Sequence, residues 1–99
     1  MHYVIYCEDR QDSMAKRRSV RPAHLKRLDT LHEQNRLLIA GPLYNQDDAN
    51  PVVAGVKGSL IIADFDSLDE AKEWAAADPY VTADVYARVT VYPFKKVKP

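Results

Sequence analysis

The sequence predicts an α+β fold whose elements run strand, helix, strand, strand, helix, strand. Three observations point to it. Four runs rich in β-branched and aromatic residues stand at "HYVIYCE", "RLLIAGPLY", "GSLIIADF" and "VYARVTVYPF". The stretches after the first and third of these carry apolar residues at helical spacing. The second such stretch opens on "SLDE", which has the form of a capping box. At 99 residues the chain has material for one core, and a single domain over residues 1–99 is expected.

The first strand is expected over residues 2–8, followed by the polar loop "DRQDSMAKRR", with room for a helical turn after Ser13. Pro22 suits the first position of a helix, where its missing N–H costs nothing. That helix is expected from about Pro22 to Gln34, with Asn35 as the left-handed residue that ends it. The second strand, residues 36–44, runs into the polar loop "NQDDANPVVAGVK", and the third strand covers residues 58–65. Ser67 caps the second helix, residues 68–77, with Glu70 three positions on. A turn at Asp78-Pro79 leads to the last strand, residues 85–94, in which Tyr86, Arg88, Thr90 and Tyr92 alternate with Ala87, Val89 and Val91. This order is the split βαβ, or ferredoxin-like, arrangement.

In that arrangement the first and third strands are central and both helices cover one sheet face. Yet the first strand offers Tyr3, Ile5 and Cys7 on one side and Val4 and Tyr6 on the other. The third offers Leu60 and Ile62 against Ile61 and Ala63. Strands apolar on both sides are buried on both sides. The chain has no spare element for the second face, so a homodimer packed sheet to sheet is expected.

Charge and composition exclude several functions. Fourteen basic residues balance fourteen acidic ones, so no global attraction to nucleic acid or anionic lipid is implied. An RNA-binding sheet would need basic and aromatic residues on its central strands, and "GSLIIADF" lacks them. No apolar run approaches the ~20 residues of a membrane helix, and "MHYVIYCEDR" lacks a basic stretch followed by a long apolar one, so no signal peptide is expected. The single cysteine, Cys7, fits a reducing compartment, so a cytoplasmic location is expected.

His24 stands apart. At about 100° per residue it falls between Leu28 and Leu31 on the helical stripe that should face the core, with Arg21 close by. Near a helix N-terminus the macrodipole and burial both disfavour imidazolium, which would leave a neutral base. A packed core histidine remains the alternative. His32 shares the stripe but lies about 12 Å along the axis at ~1.5 Å per residue, too far to share a metal ion with His24. Helix-end capping suits it better. No metal site or cofactor is expected.

The ordered set "RPAHL", "GPL", "GS", "SLDEAKEWAAADPYV" and "VYPF" resembles the YciI-like (YCII-related) family of small dimeric α+β barrel proteins. The resemblance covers almost the whole chain. It implies a ferredoxin-like protomer that pairs into a dimer, with a histidine–aspartate site. Carried over residue by residue, the catalytic pair is His24 and Asp78, and Arg21, Gly41, Pro42, Gly58 and Ser59 surround the pocket. It also implies a cofactor-independent lyase or isomerase that moves a proton on a small cyclic or aromatic molecule. The competing expectation is a non-catalytic module that binds a small molecule in the same pocket. Two departures stand out: Asn35 and Asp84 occupy positions where many relatives have glycine, and Asp84 brings a carboxylate towards the expected pocket rim.

Overall fold

The computed structural model describes residues 1–99. Strand β1 (His2–Asp9) leads to helix α1 (Met14–Glu33), then β2 (Leu37–Tyr44), a single helical turn α2 (Pro51–Ala54) and β3 (Val56–Asp64). Helix α3 (Leu68–Ala76), a second single turn α4 (Pro79–Thr82) and β4 (Tyr86–Phe94) complete the chain. The four strands form one antiparallel sheet in the order β2-β3-β1-β4, with β1 and β3 central. This is the ferredoxin-like topology. Helix α1 lies against β2 and α4, and α3 against β1 and β4.

Helix α1 begins eight residues before the expected start, and Pro22 lies inside it. An interior proline removes one ladder hydrogen bond and crowds the carbonyl four residues back, at about 3 kcal/mol. The early start comes from tertiary contact. Arg17 sits on the inward stripe, seven residues before His24, and is buried against Asp9 of β1. Ser13, at the N-cap, spends its hydroxyl on the same carboxylate (2.6 Å) and not on a helix N–H. His24 therefore stands in the middle of a 20-residue helix. The dipole at the helix start, expected to hold its ring neutral, does not act there.

Local capping follows the sequence elsewhere. Asn35 has φ 56°, and the N–H groups of Asn35 and Arg36 return to the carbonyls of His32 and Leu31. That is the Schellman pattern. Asp84 is likewise left-handed (φ 65°), a conformation that glycine adopts without steric cost. Ser67 accepts from the Glu70 N–H at 3.1 Å, while Glu70 reaches the N–H of Asp66 instead of that of Ser67.

The core lies between sheet and helices. Tyr3, Ile5 and Cys7 of β1 and Ile61 and Ala63 of β3 meet Leu28 and Leu31 of α1, Ala71 and Ala75 of α3, and Phe65. On the opposite sheet face Val4, Tyr6, Leu60 and Ile62 are half-buried, and Ile39 and Tyr92 are each 57 % exposed. The expected alternation of β4 fails at one point. Glu8 pairs with Arg88 but Asp9 with Tyr86, so a bulge between them turns Tyr86 onto the helix-covered face with Val89 and Val91. Tyr86 is buried, not exposed with Arg88. Gly58 also has a structural reason: a Cβ there would lie 1.8 Å from the Cys7 carbonyl oxygen of the neighbouring strand.

Candidate functional site

His24 projects from α1 towards the turn between α3 and α4. There Asp78 occupies the N-cap of α4, and Pro79 fills the first helical position. One carboxylate oxygen accepts the Tyr80 N–H at 2.9 Å, as a capping aspartate should. The same carboxylate receives His24 Nδ1, at 2.9 and 3.0 Å from its two oxygens. Both side chains are buried. A nitrogen facing a carboxylate carries the proton, so Nδ1 donates, and in the neutral form of the ring Nε2 holds the lone pair. The ring is clamped from the side as well: Tyr80 stacks on it at 4.0 Å, with the planes 7° apart.

A cavity of about 190 Å³ opens between α1 and the sheet, bounded by His24, Leu28, Ala40, Ile61, Ser59 and Tyr80. Arg21, Gly41 and Pro42 complete its rim. The residues singled out in the sequence as His24, Arg21, Gly41, Pro42 and Ser59 thus share one cavity, and Asp78 stands behind His24. Leu25, at 38 % exposure, lies at the cavity edge and not in the core. Asp84 lies apart from it, its carboxylate accepting from Arg10 Nε on the surface at 2.9 Å. His32 is exposed at the end of α1. Nowhere do three His, Cys, Asp or Glu side chains converge as metal ligands.

Several residues of the site escaped the sequence reading. Arg17 forms the floor. It gives two hydrogen bonds to Asp9 (2.6 and 2.8 Å) and one to Ser59 Oγ (2.9 Å), and its guanidinium lies 4.9 Å from the Tyr80 ring centre. Burial opposes its charge, but the bonds to Asp9 outweigh burial and hold its pKa above the ordinary value. Extending the His24 stripe back by two turns would have found it. Tyr80 was visible only as the aromatic of "DPY". Burial raises its phenol pKa, with Arg17 and Arg21 opposing the shift. Behind Asp78, Arg27 Nη1 lies 3.9 Å from the carboxylate, while Nη2 donates to the Trp74 carbonyl at 2.7 Å. Burial works against the Arg27 charge and Asp78 supports it. On the far side, burial pushes the Cys7 thiol up to about 12 and raises the Tyr86 phenol further, so neither is an ionised nucleophile near neutral pH.

The arrangement can therefore orient one imidazole through Nδ1, with His24 lining a small cavity that has cationic side chains at its rim. Residues 1–95 match the YCII-related domain family. Protein YciI of Escherichia coli is 58 % identical over 97 residues, covering 98 % of this chain and 99 % of that one. An uncharacterised protein of Haemophilus influenzae is 55 % identical over 97 residues, again covering 98 % and 99 %. Among solved structures, 5-chloro-2-hydroxyhydroquinone dehydrochlorinase (TftG) from Burkholderia phenoliruptrix, in complex with 2,5-dihydroxybenzoquinone, superposes with a TM-score of 0.84. It is 27 % identical, over 96 % of this chain and 94 % of that one. No helix of this chain is long and apolar enough to cross a membrane.

Proposed function

We propose that this chain, which belongs to the YCII-related family, is a cofactor-independent enzyme that moves a proton on a small cyclic or aromatic molecule. The observation that carries this is the buried His24–Asp78 pair beside the cavity. Asp78 holds Nδ1–H, and Nε2 takes a proton from a substrate carbon or hydroxyl. Asp78 then stabilises the imidazolium. The negative charge left on the substrate is met by Arg21 at the rim. Departure of a leaving group from that anion completes an elimination, and return of the proton at another atom completes an isomerisation. A cavity near 190 Å³ suits one six-membered ring, since cavities of about 150 Å³ admit benzene. The dehydrochlorinase named above supports the same class of chemistry by likeness.

The test measures deuterium exchange from solvent into small cyclic ketones and hydroxylated rings, together with chloride release from chlorinated hydroquinones. Wild type is expected to turn over at least one such compound. His24→Ala should lose about 10²- to 10⁴-fold in rate while still binding it. Binding by both proteins with turnover by neither would make the chain a binding module instead.

The working unit in this proposal is a homodimer. The sheet face bearing Val4, Tyr6, Ile39, Leu60, Ile62 and Tyr92 has no covering layer in the protomer, and a second copy supplies one.

A further inference from the structure

A second chamber of about 240 Å³ adjoins the cavity beside His24. The two share Arg17, Arg21, Pro42 and Tyr80, and the outer one is extended by Arg18, Tyr44 and Pro51. Three arginines thus border a space whose walls contain no Asp or Glu. They are not equivalent. Arg17 is neutralised by Asp9, whereas Arg18 and Arg21 are exposed and have no carboxylate within 4.0 Å. Standing at i and i+3 they share a helix face, where like charges repel. The chain as a whole is neutral, so this local excess of positive charge does not follow from a basic composition.

We infer that the outer chamber is an anion subsite, and that the ligand of the inner cavity carries a carboxylate on a short arm, bound by Arg18, with Arg21 standing between that carboxylate and the ring. This rests on the proposed placement of a ring beside His24 and adds the substrate class to it. Length agrees. Arg21 and Arg18 lie three and six residues before His24, about 4.5 and 9 Å along the helix at ~1.5 Å per residue. A ring with a carboxylate one or two carbons away spans that distance. Tyr44 and Tyr80 give the arm flat apolar walls, and a planar carboxylate accepts paired N–H donors from a guanidinium. Arg18 borders only the outer chamber, so it reports on the anion without touching the ring.

The test compares 4-hydroxyphenylacetate with its neutral isostere 4-hydroxyphenylacetamide, by calorimetry and by NMR titration of the His24 ring signals. Wild type should bind the acid about tenfold or more tightly than the amide, and added salt should narrow the gap. Arg18→Glu, an exposed substitution that should leave folding intact, should shrink the gap to about twofold or less with amide binding unchanged. His24→Ala should keep the acid preference. That separates this inference from the catalytic proposal, which can fail on turnover while the preference stands. Equal binding of acid and amide by wild type, or a preference that survives Arg18→Glu, overturns the anion subsite alone. Binding of neither compound at millimolar concentration overturns the subsite and the ring site together.

Discussion

Replacing Arg17 by methionine keeps most of the side-chain length and removes the guanidinium. In the folded protein that guanidinium gives two hydrogen bonds to Asp9 and one to Ser59. The Asp9 side chain is 2 % exposed and that of Arg17 9 %, so water does not replace what is lost. Asp9 would keep only the Ser13 hydroxyl. Removing one partner of a buried pair costs about 3–5 kcal/mol, because the remaining charge is stranded. Domains of this size have roughly 5–15 kcal/mol in total, and each kcal/mol moves Tm by about 5 °C. Arg17→Met should therefore lower Tm by roughly 15–25 °C, read by circular dichroism and by Trp74 fluorescence in urea. Arg17→Met with Asp9→Leu should recover most of the loss, since neither charge is then stranded. It should still bind ligand poorly, because Tyr80 loses the guanidinium beneath it. A cost below about 1 kcal/mol for Arg17→Met alone would refute a dry, structural pair.

Asp78→Ala should destabilise by about 2–4 kcal/mol in urea unfolding, combining a lost N-cap with an unpartnered His24 Nδ1. Asp78→Asn, which retains the capping oxygen, should cost less than half of that yet lose most turnover. Burial pushes the Cys7 thiol from 9.0 up to about 12, so its contribution to stability is present below pH 9 and lost as pH rises towards 12. Chemical unfolding measured across that range should show the decline, and Cys7→Ala should flatten part of it. Light scattering at micromolar concentration should give a dimer mass, and Ile62→Lys, on the uncovered sheet face, should give a monomer.

Strand and helix order was legible because each strand is rich in β-branched and aromatic residues, and two helix ends carry a local signal, Asn35 after α1 and Ser67 before α3. The start of α1 was not. Its cause is the bond from Arg17 back to Asp9 at the end of β1, and Pro22 gave the opposite local signal. The bulge opposite Glu8 and Asp9 was equally hidden, since "VYARV" alternates regularly on paper and only pairing with β1 turns Tyr86 inward. At the site, His24 was legible as a polar residue on an apolar stripe, and Asp78 through the family pattern. Arg17 and Tyr80 were missed because a buried arginine and a stacked tyrosine depend on neighbours distant in sequence.

The most direct test of the account is the tautomer of His24, read by ¹⁵N NMR of the ring at a pH where the imidazole is neutral. Nδ1 is expected to be protonated and held by Asp78, with Nε2 bare and the two forms mixing in Asp78→Asn. A protonated Nε2 in the wild type would contradict this, because that nitrogen would then be unable to accept a proton.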